Sequence, residues 1–307
     1  MPSWVDIVNE INKEESPVDA IRVKYMKTLH EYTGRNIIAY YSAFVHKRGS
    51  NSTGIDDTDK QPFMQMMHGL DRSKGLDLIL HTPGGNVSTT ESLVYYLKQM
   101  FGNDIRVIVP QSAFSAGTMI ALSSKEIIMG KHSNLGPIDP QFGGLSCAGI
   151  IEEFDEARQD ILKDQRTAKL WEPIIGKYPP NFIGDCRKAI KWSEEIVTKW
   201  LEENMFRECE NPKEAANKVV RKLGSHENTY DHSRPIHMDE LRKLGLNIKA
   251  LENMGGEPKG DCVDIQDCIL TIHHCFTYAL LRGDAIKMIE NHTGKRITIN
   301  ESSQRRN

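Results

Sequence analysis

Short apolar runs recur along the first half of this chain, each followed by a stretch long enough for a helix. Residues 37–45 (IIAYYSAFV), 76–80 (LDLIL), 105–109 (IRVIV) and 126–129 (EIIM) are near-continuous in apolar or aromatic side chains. This is the pattern of strands buried on both faces, not of strands with one wetted side. Between them, residues 59–70, 91–101 (ESLVYYLKQMF) and 118–124 carry apolar positions at helical spacing. Residues 46–56 are polar and contain glycine, so they predict a loop. The alternation predicts βαβ units around a largely parallel sheet, an α/β fold.

The flanks read differently. Residues 3–33 predict helix, ending at Gly34 as a C-cap. Beyond residue 150 the strand pattern stops. Residues 152–170 and 182–205 predict long helices separated by GKYPP, and 212–223 and 237–244 predict shorter ones. DIQDCILTIHHCFTYALL (264–281) predicts an apolar helix, and the last twenty or so residues, ending ESSQRRN, are polar and expected to fray. Three regions follow: a helical segment at 1–35, an α/β domain at 36–250, and a helical extension with a polar tail at 251–307.

Bulk composition narrows the class without choosing a function. Hydrophobic residues make up 39% and charged ones 26%, ordinary for a globular chain. A formal net charge of −3 argues against a nucleic-acid surface. No apolar run approaches the roughly 20 residues of a membrane span. The N-terminus has neither a basic start nor an apolar signal core, so a cytoplasmic setting is expected. The six cysteines include no CxxC pair and are expected to be ordinary thiols. Cys262, Cys268, His273, His274 and Cys275 cluster in sequence, yet their spacing matches no zinc pattern and their segment reads as a core helix.

The candidate chemistry sits at two strand-to-helix turns. The first is Pro83-Gly84-Gly85, directly after LDLIL; the second is SAFSAG (112–117), after IRVIV. Glycine-bearing turns of this kind can aim free backbone N–H groups at one point. With Ser115 at that point, the arrangement is a nucleophile beside an oxyanion hole formed by the N–H groups of Gly85 and Ala116. The helix after Ser115 would direct its positive end the same way. The plainer readings are a serine (Ser112 or Ser115) that caps a helix and glycines needed only for tight packing.

HTPGG, SAFSAGTMIAL, KHSNLGPIDPQ and YPPNFIGDCRKAIKWSEE, in that order, resemble the serine dehydrogenase proteinase family. These are signal peptide peptidase A-like serine peptidases of the Clp protease/crotonase superfamily, and the resemblance covers about residues 37–250. It implies a Clp/crotonase-like fold of repeated ββα units, with the peptidase domain at 36–250. It also implies Ser115 as nucleophile and Gly85 and Ala116 as oxyanion donors. The "dehydrogenase" of the label has no support, because no GxGxxG follows a strand. No cofactor and no metal are expected.

The general base is less legible. Clp peptidases carry a histidine where this chain has Ile138 or Asp139. Signal peptide peptidase relatives use a lysine instead, which must be desolvated to be neutral near pH 7. By position Lys177 comes first, Lys169 second and Lys163 third. His132 is expected to be structural. His226, His232 and His237, with Asp231 and Asp239, admit a metal reading and a plainer one in which they hold a loop at a sheet edge. Trp171, Trp192 and Trp200 read as core or subunit-interface residues.

The resemblance implies a homo-oligomer acting on a peptide or unfolded protein substrate, and it is compatible with an ATPase or membrane-associated partner. Two alternatives stand beside it. One is an inactive scaffold of the same fold. The other is a crotonase-type acyl-CoA enzyme working with carboxylates, against which Ser115 stands where a glutamate would be needed.

Overall fold

The computed structural model describes residues 18–47, 52–224 and 234–300. Along the first part of the chain run α1 (Val18–Thr33), β1 (Asn36–Ser42), α2 (Lys60–Met67), β2 (Leu76–His81), α3 (Val87–Phe101) and β3 (Ile105–Val109). Next come β4 (Ser112–Ala113), α4 (Ala116–Leu122), β5 (Glu126–Met129), β6 (Asn134–Leu135), and the short strands β7 (Gln141–Phe142) and β8 (Leu145–Ser146). Four helices follow: α5 (Cys147–Lys163), α6 (Ala168–Ile175), α7 (Phe182–Glu203) and α8 (Pro212–Gly224). The chain closes with β9 (Ile236–His237), α9 (Met238–Lys243), β10 (Ile248–Ala250), α10 (Ile265–Arg282), β11 (Ala285–Asn291) and β12 (Arg296–Asn300). Among the described residues, no helix is long and apolar enough to cross a membrane.

Two units emerge, one of Met1–Leu135 with Pro235–Asn307 and one of Gly136–Arg234. The first is built on a seven-stranded sheet of order β10-β5-β3-β2-β1-β11-β12. The five strands from β10 to β1 are parallel, as the βαβ pattern requires, and β11 and β12 add antiparallel. Both faces of β1 are buried. Ile37, Ala39 and Tyr41 join Ile79, Ile108 and Ile128 in the core shared with α1 and α10, where Tyr41 stacks on Phe276 at 4.2 Å. Tyr40, one residue out of phase, stacks on Phe63 of α2 at 5.7 Å. The period-2 alternation of strand side chains thus sends apolar groups both ways, which explains the near-continuous apolar runs.

Residues 285–300, which take in most of the tail expected to fray, hold instead the two antiparallel strands β11 and β12, while residues 301–307 lie outside the described residues. Their turn is closed by Asn291, whose side-chain oxygen accepts from the Thr293 and Lys295 N–H groups. The strand pattern is disguised because β11 buries charge. Glu290 takes Arg22 Nε at 2.8 Å, and Lys287 Nζ reaches Asp59 at 3.0 Å. Both partners lie more than two hundred residues away in sequence. Cys262 and Cys268, expected as free thiols, form a disulfide across the start of α10, with Cα atoms 5.5 Å apart. Cys147, Cys186, Cys209 and Cys275 are not disulfide-bonded.

The second unit is helical apart from the β7–β8 hairpin. The helix expected over 152–170 is interrupted at Asp164, an extended residue (φ −147°) whose carboxylate accepts from Arg166 N–H and starts a new turn. Cys147, Ile150 and Cys186 form its small core, flanked by Phe154, Tyr178 and Phe182. Trp200 is buried and Trp192 is exposed. Residues 3–17 of the expected N-terminal helix lie outside the described residues.

Candidate active site

After β2 the chain runs through Thr82-Pro83-Gly84-Gly85 into α3, which Asn86 caps by accepting from Thr89 N–H. Thr82 also bonds to the second turn in both directions. Its N–H donates to Ser112 O at 3.2 Å, and its carbonyl accepts from Phe114 N–H at 3.0 Å. The two turns read from sequence are therefore stitched side by side. Gly84 (φ 97°) passes directly over the serine, and a Cβ there would lie 2.6 Å from Phe114 O and 2.7 Å from Ser115 Cβ. Gly85 (φ 152°) faces the other way, where a Cβ would come within 2.3 Å of Ile55 N and O. Only glycine fits either position.

Ser115 has φ 50° and ψ −116°, and among the described residues Asn181 alone shares a positive φ without being glycine. Such a backbone costs on the order of 1–3 kcal/mol and persists only where surroundings enforce it. It is the geometry of a sharp strand-to-helix elbow that lifts a nucleophile clear of the sheet. Ser115 precedes α4 yet makes no side-chain cap bond. That removes the plainer reading of this serine as a cap. The residue is half-buried.

The neighbouring backbone groups are mostly occupied. Gly117 N–H donates to Phe114 O, and Thr118 Oγ1 donates to Ala113 O. Among the described residues, the N–H groups of Gly85 and Ala116 meet no acceptor. Two N–H groups without an acceptor thus belong to the same pair of turns as a serine whose hydroxyl makes no cap bond.

Beneath the turn lies a floor of rings that sequence reading passed over. Phe44 meets Phe114 edge-on at 6.2 Å and His81 at 4.8 Å, and His81 in turn meets Tyr41 and His273 at 5.5 Å each. Tyr41 Oη lies 3.2 Å from His273 Nδ1. Burial pulls His81 down to about 3, despite a backbone hydrogen bond at Ser112 that favours the charged ring. Burial, then the neighbouring His81 and His274, pushes His273 well below its usual range. Both imidazoles are therefore neutral at pH 7. The signal available was the histidine opening HTPGG, which ends a buried strand.

The remaining candidates divide between the units. Ser115, Gly85 and Ala116 belong to the first. Lys163 at the end of α5, Lys169 in α6 and Lys177 in the turn after α6 belong to the second, all with exposed side chains. Ile138 and Asp139 are buried in the second unit, where Ile138 O accepts from Ser193 Oγ. His132 Nε2 lies 2.8 Å from Pro110 O, a contact that ties two loops of the first unit. His237 sits on β9, 3.4 Å from Ser133 O at the edge of the small β4-β6-β9 sheet. Asp239 opens α9, while His226, Asp231 and His232 lie outside the described residues. Among the described residues, no group of three or more His, Cys, Asp or Glu side chains is placed to hold a metal ion.

Comparison with known proteins gives the family. Residues 53–253 match the family described as ClpP-like SDH-type serine proteinase. Uncharacterized protein MJ1495 of Methanocaldococcus jannaschii is 31% identical over 175 residues, covering 57% of this chain and 52% of that protein. MJ0137 of the same organism is 29% identical over 191 residues, covering 62% and 59%. The chain thus matches between half and three fifths of these relatives' length. Among solved structures, a mutant of the 1510-N membrane-bound stomatin-specific protease aligns with TM-score 0.40 and 15% identity, over 66% of this chain and 81% of that one. With the match spanning well over half of its residues, this chain belongs to the ClpP-like SDH-type serine proteinase family.

Proposed function

We propose that this chain is a serine peptidase working through an acyl-enzyme on Ser115. The observation that carries the reading is the strained elbow at Ser115, whose hydroxyl is withheld from capping while two free N–H groups flank it. In the reaction, Ser115 Oγ attacks the carbonyl carbon of a peptide bond and gives up its proton to a base. The carbonyl oxygen becomes an oxyanion held by the Gly85 and Ala116 N–H groups, each contributing about 3 kcal/mol. The intermediate collapses with cleavage of the C–N bond as the base protonates the leaving amine. Water then hydrolyses the ester by the same steps in reverse roles.

The base is a lysine in this proposal, Lys177 first, Lys169 second and Lys163 third. Each is exposed in the single chain, and a lysine serves as a base only where burial disfavours its charged form. The role therefore requires that assembly or substrate cover the lysine. A homo-oligomer acting on peptides or unfolded protein, in the cytoplasm and with no cofactor, fits that requirement. An ATPase or membrane-associated partner could deliver the substrate. A second reading, an inactive scaffold, draws on one observation: no described residue hydrogen-bonds the Ser115 hydroxyl.

Labelling with a fluorophosphonate decides between them. The expected result is a labelled wild type, with labelling lost in Ser115→Ala and in one of Lys177→Ala or Lys169→Ala. A folded wild type that stays unlabelled overturns the peptidase reading in favour of the scaffold.

A further inference from the structure

The aim of the Gly85 N–H depends on the peptide between Gly84 and Gly85, and that peptide is gripped from its outer side by a single residue. Ile55 N–H donates to Gly84 O at 2.7 Å, and Ile55 O accepts from Asn86 N–H at 2.8 Å. These two bonds occupy the groups on either side and leave the Gly85 N–H free. Ile55 pairs with Gly85 as an isolated bridge, not as part of a strand. Its position must therefore be fixed by something else.

That fixture is a knot of buried charge one residue further on. Asp56 accepts from Thr58 N–H at 2.8 Å through one oxygen and from Lys287 Nζ at 2.9 Å through the other. The Asp56 N–H donates to Asp59 at 2.9 Å, and the same Asp59 oxygen takes Tyr40 Oη at 3.1 Å and Lys287 Nζ at 3.0 Å. Lys287 and Asp59 are fully buried. Burial raises Asp59 above the usual carboxylate range, although Lys287 draws it down. At the near end, Ser42 Oγ holds Thr53 O at 2.6 Å, and Asp57 accepts from Thr89 Oγ1 of α3 at 2.9 Å.

Burying an ammonium with its carboxylate is a poor way to stabilise a sheet, because apolar side chains of similar volume do at least as well. What an ion knot supplies is a fixed geometry. Lys287 stands on β11, beyond the matched region that ends at residue 253.

We propose that Lys287, through Asp56 and Asp59, is a positioning residue for the Gly85 oxyanion donor, holding residues 53–59 so that Ile55 orients the Gly84–Gly85 peptide. This rests on the peptidase reading of Ser115 and Gly85. The test uses the full chain, with Lys287→Met, Lys287→Arg and Asp56→Ala compared by amide hydrogen exchange and by fluorophosphonate inactivation kinetics. Asp56 is at the half-exposed end of the knot, so its variant keeps the test intact if Lys287→Met fails to fold.

In Asp56→Ala and Lys287→Met, exchange at the Ile55 and Asn86 amides is expected to quicken about tenfold while β2 and β3 are unchanged. The inactivation rate constant falls about tenfold with unchanged probe affinity, and Lys287→Arg recovers most of it. Wild-type exchange at both amides with wild-type inactivation in Asp56→Ala overturns the inference, as does uniform loosening of the whole sheet in that variant. An unlabelled wild type whose Ile55 and Asn86 amides still loosen in the variants discards the peptidase reading and keeps Lys287 as the anchor of this turn.

Discussion

Among the described residues, two helices begin at a serine, and the two serines behave in opposite ways. Ser146 starts α5 with an extended backbone (φ −63°), and its hydroxyl accepts from Gly149 N–H at 3.4 Å. Ser115 starts α4 with φ 50° and caps nothing. The first serine relieves the helix end it stands at, as serines at this position ordinarily do. The second sits in an unfavourable backbone and gives the helix end no side-chain hydrogen bond. A residue that strains its own turn and gives no local hydrogen bond in return is the mark of a functional site, where such strain accumulates.

The sharpest break between the two serines lies in reactivity. Ser115→Ala is expected to abolish fluorophosphonate labelling and peptide cleavage, a loss of about a thousandfold or more. Ser146→Ala should leave both at wild-type levels. Equal losses in the two variants would erase the distinction.

Gly84→Ala tests the enforcement of the Ser115 turn from outside. Its methyl would press on Phe114 O and Ser115 Cβ from a left-handed backbone. Labelling should slow about a hundredfold as the nucleophile is displaced, and urea unfolding should register about 2 kcal/mol of lost stability.

A third contrast concerns what lies under each serine. Ser115 rests above neutral imidazoles, whereas the helix that Ser146 starts packs through its Cys147 and Ile150 on Cys186. His81 falls to about 3 in the fold from 6.5, so the unfolded chain binds the extra proton between those values. Its contribution is complete above pH 6.5 and is lost as pH falls toward 3, at about 1.4 kcal/mol per pH unit. Burial pushes the Cys147 thiol the other way, up to about 12 from 9.0, with Cys186 hydrogen-bonded beside it. That contribution is complete below pH 9 and fades as pH rises. Acid should therefore loosen the first unit and alkali the second, read as the order in which their amides lose protection. His81→Phe should flatten the acid limb alone.

The smallest effects test the caps themselves. Ser146→Ala should cost about 0.5 kcal/mol, the low end for a cap, because its bond is long. Ser115→Gly should gain about 1 kcal/mol by relieving the positive φ. Thermal melts of the pair, compared with wild type, should move in opposite directions.

What could be read from the chain alone follows from how local each signal is. The buried strands β1, β2, β3 and β5, the glycines at 84 and 85 and the elbow at Ser115 all announce themselves within a few residues. The withheld hydroxyl does not, since a serine before a helix looks the same whether or not it caps. β11 was hidden because Lys287 and Glu290 interrupt its apolar pattern, and the groups that neutralise them, Asp59 and Arg22, lie in the first part of the chain. The break at Asp164 hides for a related reason: an aspartate within a polar, helix-compatible run gives no warning that it will cap a new turn. The ring floor of His81 and His273 joins β2 to α10, which no sequence spacing reveals. Identifying the lysine base depends on tertiary placement in the same way.

The seat of β11 beside β1 has a consequence for the order in which the molecule is made. A chain synthesised from its N-terminus exposes β1, Gly85 and Ser115 long before residue 285 is available, and β1 pairs with β11 across nearly the whole length of the sequence. Until that last strand docks, Lys287 is absent from the knot at Asp56 and Asp59, and the edge of β1 stands open. On the proposed mechanism a nascent chain on the ribosome carries its nucleophile but not its anchored oxyanion hole. On that mechanism full activity arrives only with completion of the sheet, so the half-made chain is the weaker threat to the unfolded protein nearest to it, which is itself.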